Sequence, residues 1–174
     1  RRQRQMCIRD SIRAMVTLYA LYSWQDGETT RYTTQPQNKV CPSEAFSDLD
    51  VTQWYHEPVD YMLETGMMNG MSATIYAPNN STTRAQLWTI LARQNDADLT
   101  GGATWFENAQ NWAKTKGISD GANPNAAINR AQMVTMLWRA AGQPVAGGAA
   151  SFTDVSADSY YAQAVSWAVE NGIT

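Results

Sequence analysis

Two arginines lie where the sequence pattern predicts the first turn of a helix, and their chemistry suits anion binding. They are Arg84 in "NSTTRAQLWTILAR", residues 80–93, and Arg130 in "AAINRAQMVTMLWR", residues 126–139. A helix N-terminus attracts anions through N–H groups that lack intrahelical partners and through a partial positive charge. A cation there opposes the helix dipole, but a guanidinium adds a planar fork of donors that can bind a carboxylate at two points. We therefore predict that both arginines bind carboxylates, with pairing to a nearby acid of the chain itself as the alternative.

The residues around each arginine form a helix-start pattern called a capping box. Thr83-x-x-Gln86 matches this pattern, and Asn129-x-x-Gln132 is a close variant. In a capping box the first side chain accepts a hydrogen bond from a free backbone N–H, and the Gln side chain reaches back to the first residue. Helices are therefore predicted to begin at Thr83 and Asn129, with apolar residues at positions i, i+3 and i+4 of one face. These residues are Leu87, Ile90 and Leu91 in the first helix and Met133, Met136 and Leu137 in the second.

A second pattern occurs three times and ends in a glycine. In each copy an aromatic pair precedes the glycine, and an apolar residue follows it. The copies are Trp54-Tyr55 with Gly66-Met67, Trp105-Phe106 with Gly117-Ile118, and Tyr160-Tyr161 with Gly172-Ile173. A glycine just past a helix end can adopt the left-handed conformation, so each copy predicts a helix of about ten residues that ends at the glycine. The aromatics five positions before the glycines are expected to face the core: Tyr61, Trp112 and Trp167.

Composition and charge narrow the function classes. The chain of 174 residues is 44% hydrophobic and 17% charged, with a net charge of −3, which favours a packed core and argues against a nucleic-acid binder. No apolar run reaches the roughly 18 residues that a membrane span needs. His56 has no partner at metal-site spacing, and the two cysteines, Cys7 and Cys41, are far apart in sequence. We therefore predict no metal, no cofactor and no catalytic residues, although a catalytic domain could lie elsewhere in a longer parent protein.

Together these phrases resemble the S-layer homology repeat. They are Phe46-Ser-Asp-Leu-Asp, Trp54-Tyr55, Gly66-x-x-x-Gly70, Tyr76-x-Pro78, Thr83-Arg84-Ala85-Gln86 and Phe152-Thr-Asp-Val155. The resemblance implies an all-α fold of tandem helix–loop–helix repeats, usually three in a pseudo-threefold arrangement. It also implies a secreted bacterial protein held at the cell surface by non-covalent binding to secondary cell-wall polysaccharide, a polymer attached to peptidoglycan that often carries pyruvylated sugars.

The resemblance further implies which residues bind the glycan. The family's arginine corresponds to Arg84, to Arg130 and, in an incomplete copy near the start, to Arg13. The predicted glycan-binding residues are Arg84, Arg130, Arg13, Thr83, Gln86, Asn129, Gln132, Gly70 and Gly121. The two glycines either let a ligand approach the backbone or serve turn geometry alone. The alternative function is a helical repeat scaffold that associates with proteins or with itself and binds no glycan.

The repeats divide the chain into six segments. Residues 1–11 are expected to be a non-native, adapter-derived segment or, as the alternative, a basic tail. We then expect the back half of a repeat in 12–24, a flexible linker in 25–45, a complete repeat in 46–93, a compressed repeat in 105–139 and the front half of a truncated repeat in 152–174. The sequence does not begin with Met and ends in mid-repeat, so we expect a fragment of a longer protein.

Overall fold

The computed structural model describes residues 23–26, 29–32, 41–148 and 152–174, the first two ranges by their backbone alone. The predicted segment 1–11 and most of segment 12–24 lie outside the described residues, and so do Arg13 and Cys7. The elements are strands β1 (Ser23–Asp26) and β2 (Thr29–Tyr32), a 3-10 helix (Pro42–Ala45), and helices α1 (His56–Glu64), α2 (Arg84–Gln94), α3 (Glu107–Thr115), α4 (Arg130–Ala140) and α5 (Ala162–Glu170). Among these described residues, the fold is all-α apart from the antiparallel hairpin β1–β2. In this described part, no helix has the length and apolar character needed to span a bilayer.

The chain divides into two compact units at the bond between Pro78 and Asn79. The first unit contains the hairpin, the 3-10 helix and α1, and the second contains α2 to α5. The boundary lies inside the predicted repeat 46–93, between α1 and α2, the helix that begins at Arg84. The hairpin and the 3-10 helix fall mainly in segment 25–45, where the sequence pattern indicates only a flexible linker.

The two helices that begin with an arginine, here called the arginine-headed helices, start where the sequence predicts. Arg84 and Arg130 are the first helical residues of α2 and α4, and the capping boxes at Thr83 and Asn129 are complete. The backbone N–H of Thr83 donates to Oε1 of Gln86 at 2.8 Å, and the reciprocal bond to the Thr83 hydroxyl is 3.3 Å long. These local bonds satisfy backbone donors that have no partner within the helix.

The three glycine-terminated helices are also confirmed. Helices α1, α3 and α5 each have nine residues, and the glycine after each has a positive φ of 68°, 68° and 64°, respectively. After α3, the N–H of Gly117 donates to the carbonyl of Lys114, and the N–H of Ile118 donates to the carbonyl of Ala113 at 2.9 Å. This pair of bonds is a Schellman motif, which places the apolar residue after the glycine against the last helical turn.

The main core of the second unit surrounds α2. Trp88 is fully buried and Leu91 is nearly so. Residues of α3, α4 and the loop after α3 pack with them: Ala109, Ala113, Ile118 and Met136. A smaller cluster joins α4 to α5 through Val134, Ala164, Val165 and Ala168. The predicted apolar faces of α2 and α4 therefore bring the arginine-headed helices into one packed unit.

The prediction that the aromatics five positions before the glycines face the core is wrong for one copy. Trp112 and Trp167 are partly buried and pack against the two core clusters. Tyr61 is 58% exposed. It lies one turn after the exposed Glu57, on the side of α1 that faces away from the buried residues. The buried residues of α1 are His56, Val59 and Asp60.

Candidate functional site

The guanidinium of Arg84 is held by the loop that follows α3. Its Nε donates to the carbonyl oxygen of Ala122 at 2.8 Å, and a terminal nitrogen donates to the hydroxyl of Ser119 at 3.1 Å. The same nitrogen forms an ion pair with the carboxylate of Asp120. The guanidinium carbon also lies 5.5 Å from the ring centroid of Trp88, a cation–π distance. Arg84 therefore pairs with an acid of the next repeat, which is the alternative that the sequence left open.

The carboxylate of Asp120 is both charged and accessible. The backbone N–H of Ala122 donates to it at 3.0 Å. This hydrogen bond and, to a smaller extent, the charge of Arg84 lower the pKa of Asp120 despite an opposing effect of burial. The Asp120 side chain is 69% exposed, whereas that of Arg84 is 11% exposed. The acid is therefore the solvent-facing member of this ion pair, and its partner Arg84 is largely buried.

The first turn of α2 is already occupied by the chain itself. The N–H of Arg84 donates to the carbonyl of Ala126 at 3.0 Å, and the N–H of Ala85 donates to the carbonyl of Pro124 at 2.9 Å. The capping box satisfies the third N–H. The unpaired backbone donors predicted for this helix end are thus bound to carbonyl oxygens of the following loop, because the two repeats pair here through an isolated β-bridge.

Arg130 has a more open environment than Arg84. It is exposed, and a terminal nitrogen donates to the hydroxyl of Thr174 at 2.6 Å. Thr174 corresponds to Ser119, since each lies two residues after the glycine that ends its helix. The position that would match Asp120 follows Thr174, the last residue of the sequence. Within residues 41–148 and 152–174, no acid lies at ion-pair distance from Arg130.

The two predicted site glycines serve turn geometry and close packing. Gly70 has a φ of +77° and Gly121 a φ of +73°. A Cβ at Gly70 would lie 2.5 Å from a ring carbon of Phe46, and one at Gly121 would lie 2.6 Å from Cδ of Lys114. These contacts account for both glycines within the fold and support the second of the two roles considered for them.

One ring of each aromatic pair is exposed to solvent. Trp54 is 85% exposed, Trp105 is 62% exposed and Tyr160 is 63% exposed. Each ring stands edge-to-face against the aromatic that follows it, with centroids 5.0 to 5.8 Å apart. The sequence pattern shows these pairs but not which member is exposed. Because an aromatic ring combines an apolar body with a polar tip, such exposed rings are suited to stacking on sugars.

The first unit contains a buried cluster of three polar side chains that was not predicted from the sequence. Cys41, His56 and Asp60 are all buried, and their potential ligand atoms lie within 4.8 Å of one another. His56 and Asp60 are one turn apart on α1, and Cys41 directly precedes the 3-10 helix that packs on α1. The i, i+4 spacing of the His and the Asp was the available signal, but the contact with Cys41 depends on the tertiary fold.

A groove in the second unit lies away from both arginines. It is formed by residues at the C-terminal ends of α2 and α4 and by residues of α5 and the chain after it, while the arginines lie at the N-terminal ends of α2 and α4. Residues that line this groove include Leu91, Leu137, Ala140, Trp167 and Ile173. Neither Arg84 nor Arg130 is among the residues that line this groove.

Comparisons with known proteins give a consistent result. A family model of the S-layer homology domain matches residues 45–87 and 151–174. The chain is 32% identical over 107 residues to an endoglucanase of Bacillus sp. (strain KSM-635), covering 55% of this chain and 11% of the enzyme. It is 29% identical over 112 residues to the surface-layer 125 kDa protein of Lysinibacillus sphaericus, covering 54% of this chain and 10% of that protein.

The match to a third relative also covers more than half of this chain and a small part of the relative. The chain is 27% identical over 128 residues to endo-1,4-beta-xylanase A of Thermoanaerobacterium saccharolyticum, covering 64% of this chain and 11% of the enzyme. The chain thus spans about a tenth of the length of these relatives. The matched segments coincide with the front of the predicted repeat 46–93, through its capping box, and with the predicted segment 152–174. The chain therefore carries S-layer homology repeats, in residues 45–87 and again in residues 151–174.

Proposed function

We propose that this chain anchors a secreted bacterial protein to the cell wall by binding secondary cell-wall polysaccharide without a covalent bond. The family match and the surface-layer relative support a cell-surface anchoring module. The identity of the ligand is our proposal: a polysaccharide attached to peptidoglycan, with carboxylates such as those of pyruvylated sugars. In this function the chain is a binding module and carries out no catalysis.

The observation that carries the proposal is the arginine at the first position of both capped helices, α2 and α4. In α4 the guanidinium of Arg130 is exposed and donates to the neutral hydroxyl of Thr174. A guanidinium in this position retains donors for a second oxygen acceptor, and a planar carboxylate matches its fork. The N-terminal end of α4 adds a partial positive charge on the same side. Arg130 is therefore a carboxylate-binding group of the proposal.

Arg84 has a secondary role in the same proposal. Its ion pair with Asp120 already fills part of the guanidinium fork, so a glycan carboxylate must share or displace that acid. Asp120 is the exposed member of the pair, so it is the group that a glycan carboxylate displaces in this proposal. The exposed rings of Trp105 and Tyr160 are candidate stacking surfaces for the sugar rings.

The remaining predicted residues support the geometry of the site. Thr83, Gln86, Asn129 and Gln132 fix the two helix starts through the capping boxes, and Gly70 and Gly121 shape the turns. We propose that these residues position the arginines instead of binding the glycan directly. Arg13, the third predicted arginine, lies outside the described residues.

Sedimentation with purified cell-wall sacculi tests the function. The wild-type chain should sediment with sacculi that retain the polysaccharide and should stay in solution with sacculi from which it has been removed. The Arg84→Gln/Arg130→Gln double variant should not sediment with either preparation, and its helical circular dichroism should match that of the wild type. Lys116→Gln, which removes an exposed positive charge of the second unit, is the control and should sediment normally.

The alternative function is a repeat scaffold that associates with proteins or with itself. The Arg84–Asp120 ion pair is compatible with it, because this pair gives the arginine a role within the fold. If the wild-type protein does not bind the polysaccharide but forms oligomers in sedimentation-velocity experiments, this alternative is supported and glycan binding is refuted.

A further inference from the structure

The buried cluster in the first unit has the geometry of three ligands that converge on one point. Sγ of Cys41 lies 3.0 Å from Nε2 of His56 and 3.1 Å from Oδ2 of Asp60. The third side of this triangle, from Nε2 of His56 to Oδ2 of Asp60, is 3.2 Å. The residues are 7%, 3% and 7% exposed, so a sulfur, a nitrogen and an oxygen meet in the interior.

This geometry differs from that of a cysteine nucleophile with a base. In such a triad the acid binds one ring nitrogen of the histidine and the nucleophile binds the other. Here the thiol of Cys41 and the carboxylate of Asp60 both contact Nε2 of His56. The arrangement therefore favours coordination of a shared ion over nucleophilic catalysis.

A second set of hydrogen bonds orients the carboxylate. The backbone N–H of Ser43 donates to Oδ1 of Asp60 at 2.9 Å, and the Ser43 hydroxyl donates to the same oxygen. Both bonds use Oδ1, which leaves Oδ2 directed towards Cys41 and His56. Hydrogen bonds of this kind typically orient the ligands of protein metal sites.

The donor set selects a class of metal. Thiolate and imidazole donors are typical of zinc and similar transition-metal ions, whereas calcium and magnesium prefer oxygen ligands. With ligand–metal distances of about 2.0–2.3 Å, the ligand atoms of a tetrahedral site lie roughly 3.3–3.7 Å apart. The observed triangle with sides of 3.0 to 3.2 Å needs to open by only a few tenths of an ångström.

We propose that Cys41, His56 and Asp60 bind one divalent transition-metal ion of the zinc type. On binding, the thiol of Cys41 releases its proton to solvent and coordinates as a thiolate, and water or another ligand completes the tetrahedron. The ion links the residue before the 3-10 helix to two positions of α1, and therefore stabilises the first unit. The site is independent of the proposed glycan binding, since both arginines of that proposal belong to the second unit.

Cobalt(II) is the probe for this site, because thiolate coordination produces an intense sulfur-to-cobalt charge-transfer band. The metal-free full chain should bind one Co²⁺ with this band, and added Zn²⁺ should abolish it by displacement. The band should persist in Cys7→Ser, which keeps Cys41 as the remaining thiol of the sequence, and should disappear in Cys41→Ser. Absence of the band in the wild type, or its persistence in Cys41→Ser, would overturn the proposal.

Two further variants separate coordination from folding. Ser43→Ala removes only a hydrogen bond to the carboxylate and should weaken Zn²⁺ binding by about 10- to 100-fold. Glu57→Gln removes an exposed carboxylate of α1 next to His56 and should leave the affinity unchanged. Equal Zn²⁺ affinities of Ser43→Ala and the wild type, with both folded by circular dichroism, would also contradict the proposed geometry.

Discussion

Arg84 and Asp120 lie 36 residues apart in successive repeats, and the guanidinium of the first binds the carboxylate of the second. A carboxylate of the protein thus occupies the position in which a carboxylate of the glycan was predicted. The pair shows that the guanidinium of Arg84 binds a carboxylate, and it makes Asp120 an internal competitor of the proposed acidic ligand. This competition can be measured.

Replacement of Asp120 should increase glycan affinity. In Asp120→Asn the guanidinium of Arg84 loses its anionic partner, so an acidic polysaccharide should bind more tightly, because the competing carboxylate has been removed. The dissociation constant for purified polysaccharide measures this change. Asp158→Asn is the control for an exposed acid of the second unit and should have no such effect. Weaker binding by Asp120→Asn would show that the acid itself contributes to the site.

The capping boxes should contribute measurably to stability. Thr83→Ala and Asn129→Ala should each lower the free energy of unfolding by about 0.5–2 kcal/mol, because each leaves an N–H of the first helical turn without its acceptor. Urea unfolding followed by circular dichroism measures the loss. Ser81→Ala, an exposed change next to the first box, should alter stability by less than about 0.5 kcal/mol. Similar losses in all three variants would contradict the role of the caps.

Backbone conformation should determine how much stability is lost when a methyl group is added at each of two glycines. Gly117 has a φ of +68°, whereas Gly148 has no positive φ, and a Cβ at either position would meet no atom within 4 Å. Gly117→Ala should therefore destabilise the second unit by about 1–2 kcal/mol, the usual cost of the left-handed conformation. Gly148→Ala should be close to neutral. Thermal unfolding of both variants tests this, and equal melting temperatures would rule out the conformational explanation.

Asp50 should titrate at an unusually low pH. Hydrogen bonds from the side chain of Gln53, and then from the side chain and backbone of Thr52, lower its pKa from 3.8 to about 2. Because the folded pKa lies below the unfolded one, the ionised carboxylate stabilises the fold above pH 3.8. This stabilisation is lost as the pH falls from 3.8 to about 2.

Carboxyl ¹³C NMR titration measures the pKa of Asp50 directly. Gln53→Ala removes the largest cause of the shift and should raise the pKa of Asp50 towards 3.8. The pKa of Asp98, which Thr100 lowers in the same way in the second unit, is the internal control and should not change. An unchanged pKa of Asp50 in Gln53→Ala would contradict the assigned cause.

The features that could be predicted from the sequence are local in the chain. A capping box spans four residues and a glycine helix stop spans about six, so short motifs such as Thr83-x-x-Gln86 locate the helix ends directly. The features that could not be predicted depend on distant partners. The contacts of Arg84 with Asp120 and of Cys41 with His56 form only when separate elements pack together, and no local spacing encodes them.

The exposure of the aromatic side chains could not be predicted from the sequence either. Tyr61 and Trp112 occupy equivalent positions before their glycines, yet the first is exposed and the second packs against a core. The difference arises because α1 uses His56 and Asp60 for its buried polar cluster, whereas α3 buries alanines. The same motif therefore places different faces of the helix in the interior, depending on what each helix packs against.

The most direct test of glycan binding is the affinity of the wild type and of Arg130→Gln for purified secondary cell-wall polysaccharide, before and after removal of its carboxylate groups. A charge-assisted hydrogen bond is worth about 1.5–3 kcal/mol, so Arg130→Gln should bind the acidic polymer at least about tenfold more weakly. The wild type and the variant should bind the neutralised polymer equally. Equal affinities of the two proteins for the acidic polymer would contradict the assignment of Arg130 as the carboxylate-binding residue.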